Sequence, residues 1–177
     1  LGELSDRQAK YAKLIHQSGR HLMMVVNDIL DLTRIETGQL ELTPEGVNIK
    51  TVCDRALEAV LHLHQQGDIK DSQSSLGSQK FSIEIEPGLE TIEADELRLR
   101  QMLINLISNA FKFTPDGGYM GLRVNRWEDW VVFTVWDTGI GIPEQKQHLI
   151  FEKFQQLESP LNRQFEGTGL GLVLCQR

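Results

Sequence analysis

The 177-residue sequence predicts an α+β fold, a two-layer α/β sandwich with helices on one face of a mixed sheet, preceded by one long helix. Three observations predict it. A heptad-like apolar seam runs through the first forty residues. Strand segments follow at Lys80–Glu86, where apolar and polar residues alternate, and at Tyr119–Trp127 and Trp130–Trp136, joined by a tight connection. Between them, Asp95–Phe113 carries apolar residues at helical spacing. The order helix, strand, helix, hairpin is that of helices layered on a sheet.

In the first segment Tyr11, Ile15, Ser18, Leu22, Val25, Ile29 and Leu32 lie alternately four and three apart. Leu14, Val26, Leu30 and Ile35 widen the stripe beyond the needs of a two-stranded coil, so a bundle helix is expected. Thr37-Gly38 ends it, Gly being a natural residue just past a helix. One helix cannot bury such a stripe, so a partner is implied. Residues 1–40 are expected to form one unit, 41–47 a linker with a turn at Pro44–Gly46, and 48–177 a second domain.

That domain opens with a helix over Asn48–His64, with Ile49, Val52, Ala56, Leu57 and Val60 on one face. Gln65–Gln79 is rich in Ser, Gln, Gly and Asp and reads as a flexible surface loop. Phe81, Ile83 and Ile85 alternate with polar residues, and Pro87-Gly88 ends that strand. Thr91–Ala94 is a candidate short strand. Asp95 is a good N-cap for the next helix, whose apolar set is Leu99, Met102, Leu103, Leu106, Ile107 and Ala110. Pro115–Gly118 forces a turn, and Glu128-Asp129 joins the last two strands.

Composition bounds the function. Hydrophobic residues at 40% and charged residues at 24% suit a chain with a real core. The net charge of −7 argues against general nucleic-acid binding, which needs a basic face. It leaves a nucleotide open, because backbone N–H groups and Mg²⁺ can hold phosphates. Cys53 and Cys175 have no metal-ligand spacing and read as free, buried thiols of a reducing compartment. No apolar run approaches the ~18–20 residues of a membrane span, so no membrane contact by this chain is expected.

Four clusters carry chemistry. Asn105, Asn109, Lys112, Phe113 and Thr114 lie on the Asp95–Phe113 helix and its end. Asn105 and Asn109 are four apart and share a face. An Asn carbonyl suits Mg²⁺, though Asn also caps and bridges helices. Asp137-Thr138-Gly139-Ile140-Gly141-Ile142-Pro143 directly follows a strand. A carboxylate there can accept a hydrogen bond from an exocyclic amine, and the glycines let the backbone approach a flat base. A plain Asp-Gly turn is the rival reading. Phe151 and Phe154 are expected to pack into the core as an aromatic pair and to anchor a mobile segment. Gly167-Thr168-Gly169-Leu170-Gly171-Leu172 can present N–H groups to phosphates. It is neither a Walker A loop nor the dinucleotide GxGxxG.

In this order the clusters resemble the N, G1, F and G2 boxes of sensor histidine kinases, members of the Bergerat-type ATPase superfamily. The stretch Val26-Asn27-Asp28-Ile29-Leu30-Asp31-Leu32-Thr33-Arg34-Ile35-Glu36-Thr37-Gly38 resembles the second helix of the kinase dimerisation domain. The resemblance covers all but the Gln65–Gln79 loop. It implies ATP and Mg²⁺ as ligands. Asp137 would bind the adenine amine, with Gly139, Gly141 and Phe113 shaping the pocket. Asn109, helped by Asn105, would hold Mg²⁺, and Lys112 would contact phosphate. Thr138–Glu166 would be the lid, with Gly167, Thr168, Gly169, Leu170 and Gly171 at its phosphate end. It also implies a homodimer through the N-terminal helix, a response-regulator receiver domain as partner, and a cytoplasmic location, whether or not the parent is membrane-anchored.

The ATP-hydrolysing branch of the superfamily carries a Glu general base where this chain has Asn105, which cannot take a proton from water. That favours phosphoryl transfer over hydrolysis. The alternatives are a hydrolysing ATPase or a nucleotide-free dimerisation module. The family's phosphoacceptor histidine is followed by an acidic residue. None of His16, His21, His62, His64 and His148 is, so the acceptor is expected on a first helix outside this chain. The final strand pair of the family's sheet is likewise expected outside it.

Overall fold

The computed structural model describes residues 5–66, 79–155 and 168–176. The chain divides into two compact units, one up to Leu40 and one from Glu41 to Gln176.

The first unit is helix α1, Asp6–Glu36. A capping box opens it: the Ser5 hydroxyl accepts from Gln8 N, and Gln8 Oε1 accepts from Ser5 N at 2.9 Å. At the other end Gly38 N and Gln39 N donate to the Ile35 and Arg34 carbonyls at 3.1 and 2.8 Å, closing a Schellman-type end. Tyr11, Leu14, Ile15, Leu22, Val26, Ile29 and Leu30 are exposed, and Leu32 is buried. The expected seam is thus open over most of its length.

The second unit runs β1 (Glu45–Asn48), α2 (Ile49–Gln66), β2 (Lys80–Ile85), β3 (Thr91–Ala94), α3 (Glu96–Phe113), β4 (Tyr119–Trp127) and β5 (Trp130–Asp137). A 3₁₀ helix (Glu144–Phe151) and a short helix, α4 (Gly171–Gln176), follow. β2, β4 and β5 form a mixed sheet in that order, with β2 parallel and β5 antiparallel to β4. β1 and β3 form a separate antiparallel pair. The strands therefore fall into two hydrogen-bonded groups, not the one sheet expected. Residues 45–47, expected within a linker, belong to strand β1. Its four residues are too few for an alternation to register, and only Val47 is buried. The helix expected to end at His64 continues to Gln66, and residues 67–78 of the expected loop lie outside the described residues.

The core follows from register. Phe81, Ile83 and Ile85 pair with Met120, Leu122 and Val124, which pair in turn with Asp137, Val135 and Phe133. Paired residues share a sheet face, so these strands present one apolar surface. Against it lie Leu103, Ile107, Ala110 and Phe111 of α3 and Val52, Cys53, Ala56 and Val60 of α2, all buried. Phe81 stacks on Phe111 with ring centroids 5.6 Å apart. Burial pushes the Cys53 thiol up to about 11, which leaves it an inert core residue.

Asp95 caps α3 as expected. Its Oδ1 accepts from Arg98 N at 3.0 Å and its Oδ2 from Thr43 N at 3.1 Å. The two N–H groups, Arg98 first, hold its carboxyl below the ordinary Asp range. One side chain thus starts α3 and ties down the chain leading into β1.

Candidate nucleotide site

The site begins where α3 ends. Gln79 holds that end, its side-chain amide donating to the Thr114 carbonyl and, at 3.4 Å, to that of Phe111. The Phe113 carbonyl accepts from Ile140 N at 3.2 Å, which fastens the loop after β5 to the helix. A Cβ on Gly139 would collide with that carbonyl and lie 2.8 Å from Asp137 Oδ1, so only glycine permits the approach.

Asp137 closes β5. Its pairing with Met120 puts it on the helix-covered face of the sheet, yet at the end of the outer strand it stays exposed. Oδ1 accepts from Gly139 N at 2.8 Å. Oδ2 has no partner among the described residues. A carboxylate with one oxygen anchored and the other open is a fixed acceptor for an amine.

The polar flank of α3 adds the other groups. Asn105 and Asn109 are both half-buried. The Lys112 ammonium lies 4.9 Å from the Phe113 ring centroid, a cation–π contact at the helix end. Thr114 is buried, and its hydroxyl has no partner among the described residues.

The glycine-rich loop reaches α3 from the other side. Thr168 Oγ1 accepts from Leu170 N at 3.1 Å, Leu170 is fully buried, and Gly171 starts α4. Gly169 has φ 69° and lies against the backbone of Phe154 and Gln155, 2.9 to 3.0 Å from where a Cβ would sit. Gly141, with φ 66°, has open space around it. Gly167 lies outside the described residues, as does 156–166 of the expected lid.

Phe151 and Phe154 correct an expectation. They are 41% and 59% exposed and do not form a core pair. The chain leaves the 3₁₀ helix after Phe151, and Phe154 takes φ 62°, so the two rings do not share a helical face. Phe154 N instead donates to the Gly169 carbonyl at 3.2 Å. Cys175 is half-buried rather than buried, and its thiol is pushed up by that burial, partly offset by Asn105. Gln79 was invisible to sequence reasoning because it ends a polar run with no periodicity.

The structure thus joins Asp137, Gly139 and Phe113 in one cluster and places Asn105 against Gly171. No helix among the described residues is long and apolar enough to cross a membrane.

Residues 94–177 match the family model for histidine kinase-, DNA gyrase B-, and HSP90-like ATPases. That segment belongs to the family. Along its whole length it is 42% identical to the circadian input-output histidine kinase CikA of Synechococcus elongatus, of which it covers 22%. Over 99% of its length it is 30% identical to the signal transduction histidine-protein kinase BarA of Escherichia coli, of which it covers 18%. It superimposes on full-length ShkA, solved in complex with AMPPNP, with a TM-score of 0.75 and 31% identity. That match covers 99% of this chain and 34% of ShkA. Within the family the chain is a sensor histidine kinase catalytic domain, preceded by a long helix. It spans about a fifth of the two curated kinases. ATP binding goes with the family.

Proposed function

We propose that this chain binds Mg²⁺–ATP and delivers the γ-phosphoryl group to a histidine carried outside it, for onward transfer to an aspartate of a response-regulator receiver domain. The carrying observation is the Asp137 carboxylate, one oxygen anchored by Gly139 N and the other open. That fits an adenine exocyclic amine. The half-buried Asn109 amide, with no side-chain hydrogen bond among the described residues, fits a hard cation. Bound Mg²⁺–ATP would supply the transferable phosphoryl group and the charge that neutralises its oxygens.

Every other contribution comes from the chain. Asp137 orients the base, and Gly139 sets its distance from the α3 end. Asn109 offers a carbonyl oxygen, and Lys112 lends positive charge. The loop of Thr168, Gly169, Leu170 and Gly171, with Gly167, borders the phosphate end. Closure of the segment 138–166 would exclude water. Such transfers rest on positioning and charge stabilisation. Asn105 supplies no base to activate water, which favours transfer over hydrolysis. The exposed stripe of α1 serves pairing with a second copy; residues 1–40 act as the dimerisation helix, and the catalytic domain takes in β1 of the expected linker and runs on to residue 177.

The test is a calorimetric titration with a non-hydrolysable ATP analogue and Mg²⁺. Binding by the chain and a loss of about tenfold or more in Asp137→Asn are expected, since hydrogen bonds to charged groups contribute about 1.5–3 kcal/mol. Equal binding by both proteins would refute the adenine role of Asp137.

A further inference from the structure

The Asn105 amide nitrogen has a partner that no cation role requires. It donates to the Gly171 carbonyl at 3.4 Å, across 66 residues of sequence. A Cβ on Gly171 would lie 3.4 Å from the Asn105 amide carbon, so the two are in close contact. One turn earlier on α3, the Met102 carbonyl receives the Cys175 thiol at 3.9 Å. Asn105 also faces that thiol. The short α4 is therefore seated on the polar flank of α3 at both ends. Leu170 and Val173 plug the apolar side.

We infer that Asn105 is a positioning residue: through its side-chain N–H it holds the glycine-rich loop and the start of α4 against α3. The inference rests on the nucleotide-binding reading above and assigns this residue a different task from the metal ligation that reading began with. A carboxylate could not perform this task. Asp or Glu has no N–H to give and would set a negative charge against the Gly171 carbonyl. The Gly169 carbonyl also accepts from Phe154 N, and Thr168 Oγ1 from Leu170 N. Neither bond reaches α3, whereas the Asn105 amide joins the loop to the helix that carries Asn109.

Two readouts on the full chain test this. The first is hydrogen exchange in the nucleotide-free protein at amides 170–176, above all Leu174 N, which donates to the Leu170 carbonyl at 3.0 Å. The second is affinity for ADP, with Mg²⁺ and with the metal chelated. Asn105→Asp keeps an oxygen for a cation and loses the donor. It is expected to speed exchange and to weaken ADP by the same factor, about three- to tenfold, with and without Mg²⁺. Unchanged exchange in Asn105→Asp, or a loss of ADP affinity seen only with Mg²⁺, overturns the inference and returns Asn105 to metal binding. If the unaltered chain binds no ADP, the nucleotide reading fails, while the exchange result still decides whether Asn105 seats α4.

Discussion

The two flanks of α3 belong to one helix but are held by different forces. The flank of Leu99, Leu103, Ile107 and Phe111 is set by side-chain burial against the sheet. The flank of Asn105, Asn109 and Lys112 faces loops that are fixed by backbone contacts. Ile140 N sits on the Phe113 carbonyl, Phe154 N on the Gly169 carbonyl, and the Asn105 amide on the Gly171 carbonyl. Burial is strong and tolerant of loop sequence. Backbone contacts are individually weak, near 1 kcal/mol each, and depend on glycine at named positions. The stable flank therefore serves as a floor, and the weaker flank can rearrange around a ligand without unfolding the domain.

That contrast can be broken from either side. The largest effect is expected in the core: Ile107→Ala should cost about 2–5 kcal/mol of unfolding free energy by denaturant titration. Nucleotide affinity should change little while the protein stays folded. Gly139→Ala should do the reverse. Its new methyl meets the Phe113 carbonyl and Asp137 Oδ1, so ADP affinity should fall more than tenfold with a stability change below about 2 kcal/mol. A similar loss from both substitutions in both assays would erase the distinction.

Sequence reasoning reached the two flanks unequally, for a physical reason. Burial leaves a periodic trace, which locates α2, α3, β2, β4 and β5 within a few residues and finds Leu99, Met102, Leu103, Ile107 and Ala110 of α3, though it adds Leu106, which is outside the core, and omits the buried Phe111. Backbone contacts leave no periodicity. They appear only as glycines and an Asp in a familiar order, which named Asp137, Gly139 and Gly169 but not what each touches. Gln79 and the Asn105–Gly171 contact were missed for that reason. Phe151 and Phe154 do not pack as the expected core pair because the 3₁₀ helix stops at Phe151 and Phe154 takes φ 62°, and aromatic composition alone does not reveal that break. β1 was missed because four residues with one buried side chain carry no pattern.

Smaller effects sharpen the same comparison. Asp95→Ala should cost about 1 kcal/mol, as losses of helix N-caps do, with no change in nucleotide affinity beyond that of lost folded protein. The carboxyl of Asp95 is held below its ordinary range, so its contribution is present above the unfolded pKa and fades as pH falls through the lower folded one. The stability gap between wild type and Asp95→Asn should thus shrink as pH falls below about 4, the ordinary Asp value, measured by urea titration at each pH. Smallest is Thr114→Val. Removing a buried hydroxyl that lacks a partner among the described residues should raise stability by up to about 1 kcal/mol in a thermal melt without nucleotide.

The most direct measurement of the central claim is a cycle across Asp137 and the base itself. The wild-type chain and Asp137→Asn are each titrated with the triphosphates of adenosine and of purine riboside, which lacks the exocyclic amine. In Asp137→Asn the one remaining side-chain oxygen stays with Gly139 N, and an amide N–H faces the amine. If Asp137 reads that amine, wild type should prefer the adenosine ligand by about tenfold, and the variant should lose the preference. Equal preference in both proteins would mean that the base is read elsewhere and that Asp137 only shapes the turn.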